Sequence, residues 1–557
     1  MTPSRKSIVL LSAALAVWAA FAQSVIEIEM PWPKEGTGFP CGHPVDVSIR
    51  HTLDGKATAA KGVKIAFDNF GPKTVRAEET CDLPEQGLRV KGLTLNEPGF
   101  LRCRVTVGGK NYVQSVPFEP ERIVKGSPTP PDFMTYWQRE IAKLDAESSD
   151  EPELKPWRGP DTNQWDAWRV SFATAGGKRV YGLLSVPKNL SEGPFPVHVS
   201  VPGAGQPSKT YSASWIYSQT PERNTVRLTM FAHCAPIDDA KEREAYFTRI
   251  RAEHAEKYGV GYYPQAGISE SREAYHFHPI ILGANRAVNW LARQSYCDTN
   301  RFTYSGSSQG GGFGIILAGL NRHFTRVFAD VPAMADTMGA RAGRQSGWPQ
   351  PVETQRPENR SAAERFAPYF DGANFARYVT CPIRVTCGCK DTSCAPPAVY
   401  AAYNEIPSQD KQIFVMPHNG HESNGKIKNQ AHAWRQGTGE RGLAPFDTLT
   451  CEVTGVAFGS GANTDPTFKV PKLVAAIRRT DGVIEDVPLR AVNWMGAYLV
   501  DRRFSKSERE RFGTKAELVG VRLEGGAPET NAKIKIENAT MFKEVLNPLS
   551  IQVTPRD

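Results

Sequence analysis

The segment that decides the fold is Arg301-Phe302-Thr303-Tyr304-Ser305-Gly306-Ser307-Ser308-Gln309-Gly310, followed by the apolar, glycine-rich run 311–320. Residues 301–305 read as a β-strand, and the run after Ser308 reads as a helix. The pattern G-x-S-x-G places a small residue two positions before and two positions after Ser308. Such spacing lets the serine backbone adopt a strained conformation without clashes. The segment therefore predicts a sharp strand-to-helix turn that exposes the Ser308 hydroxyl.

Short apolar segments alternate with helical patterns on both sides of this turn. The strand candidates are Pro196–Val201, Val226–Phe231, Arg301–Ser305, Val327–Val331, Ile383–Cys387 and Gln412–Met416, preceded by a hairpin of Trp168–Phe172 and Val180–Val186. A helix is predicted around 280–291, with Pro279 in its first turn. This alternation is typical of βαβ units, that is, of a mostly parallel sheet with helices on both faces. With the serine turn included, the pattern predicts the α/β-hydrolase fold.

The flanking regions are different in character. Residues 23–124 form short alternating runs separated by turn signals, which predicts an immunoglobulin-like β-sandwich. The proline-rich connector 125–131 marks the start of the α/β catalytic domain, expected over 125–440. Short strand patterns then return, and we predict a β-rich C-terminal domain over 441–557.

Residues 1–22 have the features of a secretory signal peptide. Arg5 and Lys6 supply positive charge, Ser7–Phe21 is an apolar run, and Ala20-Phe21-Ala22 supplies small residues for cleavage. We therefore expect a protein exported to the periplasm or secreted, with no membrane attachment after cleavage. An uncleaved anchor is the alternative.

Charge and cysteine content limit the choice of partners. The formal net charge of +8 is small for 557 residues and is spread along the chain, so nucleic acid is not an expected partner. Ten cysteines in an exported chain predict some disulfides, whose pairing the sequence does not reveal. The cluster Cys387, Cys389 and Cys394 lacks the ligand spacing of a zinc site. We expect a disulfide or buried thiols there, and no metal.

A serine hydroxyl needs a base, oriented by an acid, to act as a nucleophile at neutral pH. In this fold the acid and then the base follow the serine along the chain. Asp391 comes after the strand candidate 383–387, and His421 comes after 412–416, with His418 as a rival base. These positions lie past the carboxyl ends of strands, the edge where open α/β sheets carry their sites. Position alone favours His421 over His418 only modestly.

An ester-cleaving site also needs hydrogen-bond donors for the oxyanion. We expect one donor to be the backbone amide of Gln309, the residue after the nucleophile. The other is expected in the loop Pro202-Gly203-Ala204-Gly205, with Ala204 as the donor because the adjacent glycines let its amide turn inward. A glycine-rich loop without this role is the alternative.

With these residues in place, the chain resembles the acetyl xylan esterase and cephalosporin C deacetylase family of carbohydrate esterases over roughly 131–422. The motifs that carry the resemblance are Gly306-Ser307-Ser308-Gln309-Gly310-Gly311-Gly312, Asp330-Val331-Pro332, Tyr369-Phe370-Asp371, Pro396-Pro397-Ala398-Val399-Tyr400-Ala401-Ala402-Tyr403-Asn404 and Gly420-His421-Glu422. The resemblance implies that Ser308, Asp391 and His421 form the family's triad, which decides against His418. It also implies that the substrate is acetylated xylan or xylo-oligosaccharide, that acetyl groups are removed from sugar hydroxyls, and that no cofactor is needed.

The chain departs from the family pattern at two places. The family has His-Gly-Tyr at the oxyanion loop where this chain has Pro202-Gly203-Ala204, and Cys394-Ala395-Pro396-Pro397 contains one extra residue. A backbone donor survives the first change, but an aromatic side chain near the acyl group is lost. Aromatic faces for sugar binding are expected from Trp215 and Trp348, for which packing roles are the alternative.

Three alternatives to a carbohydrate acetylesterase differ in how well they fit the sequence. A peptidase of the prolyl oligopeptidase type would need a β-propeller, for which the N-terminal region is too short. An esterase for another substrate, such as an aromatic acyl sugar, stays open, as does a non-catalytic polysaccharide-binding protein. Family members often form oligomers, so a homo-oligomer is compatible with the sequence, although the added domains can block those contacts.

Overall fold

The computed structural model describes residues 24–33, 37–72, 74–157, 165–205, 224–236, 240–259 and 261–422, then 425, 427, 434–435, 448–457, 472–479, 481–491, 496–503, 508, 511–512, 517–524, 531–539 and 550–552. The chain divides into two compact units, 1–123 and 124–557. The domain boundaries expected from the sequence stay predictions, and the predicted signal peptide 1–22 lies outside the described residues. None of the helices in the described ranges is long and apolar enough to cross a bilayer.

The described part of the first unit contains eight antiparallel strands. They are β1 (Ser24–Glu29), β2 (Val45–Leu53), β3 (Lys56–Ala57), β4 (Ala60–Asp68), β5 (Thr74–Leu83), β6 (Leu88–Leu93), β7 (Gly99–Val107) and β8 (Lys110–Phe118). One sheet has the order β1-β2-β3 with β6 also on β2, and the other has the order β5-β4-β7-β8. Gly108 and Gly109 both have positive φ, as a two-residue hairpin turn between β7 and β8 requires. Alternating residues from both sheets, among them Val47 and Leu101, form one buried core.

The second unit contains a nine-stranded sheet. Its strands are β9 (Glu153–Pro156), β10 (Trp165–Thr174), β11 (Lys178–Pro187), β12 (Phe195–Ser200), β13 (Val226–Met230), β14 (Cys297–Ser307), β15 (Arg326–Asp330), β16 (Ile383–Gly388) and β17 (Lys411–Met416). Their order is β17-β16-β15-β14-β12-β13-β11-β10-β9. The six strands β12 to β17 pair with one another in parallel, whereas β9, β10 and β11 pair antiparallel with their neighbours. Every strand predicted for this region overlaps one of these strands.

Seven α-helices accompany the sheet in the described residues. They are α1 (Phe133–Glu147), α2 (Ala240–Tyr258), α3 (Phe277–Ala292), α4 (Gln309–Leu320), α5 (Arg360–Phe366), α6 (Gly372–Ala376) and α7 (Pro396–Asn404). The helix predicted around 280–291 is α3, which packs on β10 and β11 and is buried on nearly all sides. Helix α4 packs on β14 and β15 directly after the serine turn. The sheet and its helices form the predicted α/β-hydrolase architecture.

Beyond residue 447 most of the described residues lie in strands. They are β18 (Thr448–Ala457), β19 (Lys472–Arg478), β20 (Ile484–Ala491), β21 (Gly496–Arg503), β22 (Glu517–Glu524), β23 (Asn531–Ala539) and β24 (Ser550–Gln552). They form two antiparallel sheets, β21-β18-β23-β24 and β20-β19-β22. The region is β-rich as expected, and its status as a separate domain over 441–557 stays a prediction.

The expected disulfides are absent among the nine cysteines whose side chains the structure describes, all of which are free thiols. Burial raises the pKa of Cys387 and Cys394 well above the usual value. A thiol that stays protonated is a poor nucleophile, so neither residue is suited to disulfide exchange. Of the two expectations for the cluster at 387–394, the structure contains the buried thiols.

A buried ion pair in the first unit gives a test of its stability. Asp68 is 1% exposed and accepts hydrogen bonds from Arg102 Nε at 2.7 Å and Arg104 Nε at 3.0 Å. Asp68→Asn removes the charge and leaves Arg102 buried without its counter-ion, so we expect a loss of about 3–5 kcal/mol in the free energy of unfolding. Glu79→Gln, which breaks an exposed pair with Arg76, is the control and should cost less than about 1 kcal/mol. Urea unfolding followed by circular dichroism measures both, and equal losses would contradict the assignment.

Candidate active site

Ser308 occupies the turn between β14 and α4 in a conformation that few residues adopt. Its φ is 58° and its ψ is −121°. The Ser308 amide donates to the carbonyl of Asp330 at 2.9 Å, and the Ser308 carbonyl accepts from the amides of Gly312 and Ala333 at 3.0 and 2.9 Å. Backbone strain of this kind persists only where the surroundings fix it, and it is concentrated at functional sites.

The glycines of the motif are required by close packing. A Cβ atom on Gly306 would lie 2.5 Å from the carbonyl oxygen of Gly310, and one on Gly310 would lie 2.0 Å from that of Val201. Real Cβ atoms do not come so close to a backbone oxygen. Since Val201 directly follows β12, the loop after β12 packs against the serine turn.

Three side chains from three different strand ends meet at this turn. His421 Nε2 lies 2.9 Å from Ser308 Oγ, and His421 Nδ1 lies 2.8 Å from Asp391 Oδ2. The three residues follow the carboxyl ends of β14, β16 and β17. His418 is exposed in the same loop as His421, and no contact joins it to Ser308 among the described residues. The structure thus brings together the three residues chosen from the sequence.

The loop after β16 holds Asp391 rigidly. Its side chain is buried, with the residue 1% exposed. Asp391 Oδ1 accepts hydrogen bonds from the backbone amides of Ser393 and Cys394, each at 2.8 Å, and Oδ2 faces His421. Both carboxylate oxygens therefore have donors, and the carboxylate orientation toward His421 is fixed.

The environment of His421 favours its protonated form. The pKa of its imidazole is raised from the usual value, chiefly by the hydrogen bond to Asp391, and burial opposes this shift. The negative charges of Asp391, Asp330 and Glu422 raise the pKa further. An imidazole that accepts a proton from Ser308 would gain this stabilisation as it becomes charged.

The two residues predicted to donate to an oxyanion lie beside the serine turn. Gln309 is the first residue of α4, and the first amides of a helix have no acceptor within it. Ala204 is exposed in the loop after β12. A Cβ atom on the adjacent Gly203 would lie 3.8 Å from the Cβ of Ser308, so this loop borders Ser308.

Of the two tryptophans expected near the substrate, the structure describes only Trp348. Trp215 lies outside the described residues. Trp348 is half-buried, its ring packs edge-on against Tyr262 with centroids 6.1 Å apart, and its carbonyl accepts from the Met334 amide at 2.8 Å. Because Met334 follows the residue that bonds the Ser308 carbonyl, Trp348 is tied to the serine turn through backbone hydrogen bonds.

Two supporting residues were not found from the sequence. The buried Tyr263 donates from its hydroxyl to Gln309 Oε1 at 3.1 Å. Thr386, in the middle of β16, donates to Asp330 Oδ1 at 2.7 Å and accepts from the Val331 amide at 2.7 Å. Thr386 thereby fixes the segment whose carbonyl holds Ser308. The motif Asp330-Val331-Pro332 was visible in the sequence, but nothing there indicated its partner on β16.

Residues that can ligate a metal also meet in this corner. One donor atom each from Asp391, Cys394 and His421 lies within 4.8 Å of the other two. Both ring nitrogens of His421 are already engaged by Asp391 and Ser308. A nucleophile, a base and an acid in hydrogen-bonded series are the groups that acyl transfer from an ester requires.

Comparison with known proteins adds the family. The protein-family model for acetyl xylan esterase (AXE1) matches residues 121–438, which is more than half of the chain. The chain belongs to the acetyl xylan esterase family. Acetyl esterase Axe7A from Xylanibacter ruminicola is 28% identical over 383 residues, covering 67% of this chain and 82% of that protein.

Solved acetyl xylan esterases are also similar in structure. One from a Paenibacillus species has a TM-score of 0.48 at 18% identity, covering 57% of this chain and 98% of that one. Another, from a Thermoanaerobacterium species, has a TM-score of 0.45 at 19% identity, covering 57% and 97%. Family membership confirms the resemblance drawn from the motifs. It makes the chain a carboxylic-ester hydrolase of the carbohydrate esterase class with an α/β-hydrolase fold.

The serine turn can be tested through its packing. In Gly310→Ala the new methyl group would meet the Val201 carbonyl at 2.0 Å, so the turn must move. Displacement of catalytic groups by about 1 Å costs about a hundredfold in rate, and we expect kcat for an aryl acetate to fall at least that far. Gly261→Ala is the control, because its nearest neighbour would be 3.4 Å away on a flexible arginine side chain. An active Gly310→Ala variant would refute this account of the turn.

The contact between Asp391 and His421 predicts a shift in the pH profile. A base works in its neutral form, so activity is lost as pH falls through the His421 pKa, which lies above the usual value. Asp391→Asn removes the main cause of that rise and should move the acidic limb of kcat/KM to lower pH. Activity on the plateau should fall about 10⁴-fold, because the imidazole loses its orienting partner. Glu422→Gln, a minor contributor, should shift the limb less. If the acidic limb of the kcat/KM profile stays at the same pH in Asp391→Asn, the contact between Asp391 and His421 does not set the His421 pKa.

Proposed function

We propose that this chain is an exported serine esterase that removes acetyl groups from acetylated xylan or xylo-oligosaccharides. The observation that carries the proposal is the hydrogen-bonded series Asp391–His421–Ser308, set on a strained turn inside the region that matches the acetyl xylan esterase family. The similarity to an acetyl esterase supports the acetyl group as the acyl part. The signal-like residues 1–22 support export to the periplasm or secretion.

The first half of the reaction transfers the acetyl group to the enzyme. His421 Nε2 takes the proton from Ser308 Oγ as that oxygen attacks the ester carbonyl. Asp391 keeps the other ring nitrogen protonated and stabilises the imidazolium that forms. His421 then returns the proton to the departing sugar hydroxyl, which leaves an acetyl-Ser308 ester.

The developing negative charge on the carbonyl oxygen needs fixed donors. We assign this role to the backbone amides of Gln309, which follows Ser308, and of Ala204, in the loop whose Gly203 lies near Ser308. Loss of one such donor typically costs about a hundred- to a thousandfold in rate. The hydrogen bond from Tyr263 to the Gln309 side chain supports this assignment, because it anchors the first residue of α4.

The second half of the reaction frees acetate. Water enters, His421 takes one of its protons, and the hydroxyl attacks the acetyl carbon. The tetrahedral intermediate collapses, and Ser308 leaves with the proton from His421. All proton transfers use side chains of this chain, so the scheme needs no cofactor or metal. We place the sugar near Trp348, whose half-buried ring offers an apolar face to a pyranose.

The direct test is acetate release from acetylated xylo-oligosaccharides, measured for the processed protein beside Ser308→Ala and with phenyl acetate as a second substrate. We expect release from both substrates, reduced at least about 10³-fold in the variant. Cleavage of phenyl acetate alone would keep the esterase but exclude the proposed sugar substrate. No turnover of either would favour a polysaccharide-binding protein. N-terminal sequencing of exported protein should find Gln23 first, and an intact Met1 would contradict cleavage.

A further inference from the structure

The mechanism leaves the thiol of Cys394 unused, although it lies in the middle of the catalytic group. Cys394 is 3% exposed, and its sulfur lies within 4.8 Å of donor atoms on both Asp391 and His421. Its backbone amide donates to Asp391 Oδ1 at 2.8 Å, which fixes where the side chain starts. The three donor atoms are therefore held together by the loops after β16 and β17.

The donor set is chemically selective. Sulfur, nitrogen and oxygen ligands together suit zinc and related thiophilic divalent cations, whereas magnesium and calcium prefer oxygen alone. Zinc with three protein ligands keeps a fourth position for water or another oxygen.

We propose that Asp391, Cys394 and His421 form an inhibitory binding site for zinc and similar thiophilic divalent cations. The cation takes the place of the proton between His421 Nδ1 and Asp391 Oδ2, and it binds the sulfur of Cys394 as a thiolate. The ring proton moves from Nδ1 to Nε2, and the thiol proton is released to solvent. One proton therefore leaves for each divalent cation bound, and the charge balances.

A cation bound at Nδ1 prevents His421 from acting as a base, although the imidazole ring moves little. With its proton on Nε2, His421 can only donate to Ser308 Oγ and cannot accept the serine proton. Holding the imidazole in the wrong tautomer costs about 10⁴-fold in triads of this type. The side chain of His421 is 34% exposed whereas Asp391 and Cys394 are buried, so the cation must enter past His421. We therefore expect inhibition to develop slowly after mixing.

Cobalt(II) gives a readout of this site that does not depend on catalysis. Chelator-treated full-length protein titrated with Co²⁺ should develop a thiolate-to-cobalt charge-transfer band that saturates at one equivalent and is displaced by Zn²⁺. Cys394→Ala should lose the band. Cys297→Ala, which removes another buried thiol at the far end of β14, is the matched control and should keep it.

Inhibition is measured in parallel with an aryl acetate, each variant against its own rate in chelator. The zinc concentration for half inhibition should rise at least about tenfold in Cys394→Ala and stay unchanged in Cys297→Ala. If Cys394→Ala does not fold, Asp391→Asn tests the same site, because an amide is a poor zinc ligand and the cobalt band should weaken. Wild-type protein without the band, or equal zinc sensitivity in Cys394→Ala, overturns the proposal. Inhibition rests on the proposed function but binding does not, so a band in an inactive protein would reject only the esterase assignment.

Discussion

The backbone conformation of Ser308 is the constraint on which the rest of the site depends. At φ 58° and ψ −121° it costs about 1–3 kcal/mol, and the neighbouring strands must offset that cost. The Asp330 carbonyl, at the end of β15, accepts the Ser308 amide, and Thr386 of β16 fixes the Asp330 side chain. The strain at Ser308, directly after β14, is thus opposed by two further strands, which is why the proposed nucleophile has a rigid position.

The same sheet edge also orients His421, the proposed base. Asp391 is locked by two backbone amides before it meets His421, so no side-chain freedom is lost when the proton moves. His421 by contrast stays partly exposed, which leaves room for the ester and the departing alcohol. The charges around it favour the imidazolium, so the base is strengthened by groups already in place. Preorganised polar groups of this kind act without reorganisation during the reaction.

Much of this arrangement was predictable from sequence, for identifiable reasons. The strands of the sheet are apolar runs bounded by turn residues, and the turn at Ser308 has a motif that sterics require. Asp391 and His421 could be placed because they follow strand ends, although the choice against His418 needed the family resemblance. Tyr263 and Thr386 escaped notice because side-chain hydrogen bonds between distant segments leave no periodicity. Disulfides were wrongly expected among the described cysteines. The number of cysteines in a sequence does not show how far apart their sulfur atoms lie in the fold.

The distance along the chain between Ser308 and His421 has a consequence for how the protein folds. Ser308 and His421 are 113 residues apart in sequence, and they touch only after parallel strands β14 to β17 have paired. Non-local pairing of this kind is slow, because the entropy of closing long loops is lost before the contacts form. A collapsed intermediate with most of its secondary structure would therefore lack a working nucleophile. Recovery of esterase activity during refolding should therefore lag behind the recovery of circular dichroism, because activity requires the long-range strand pairing and the ellipticity does not.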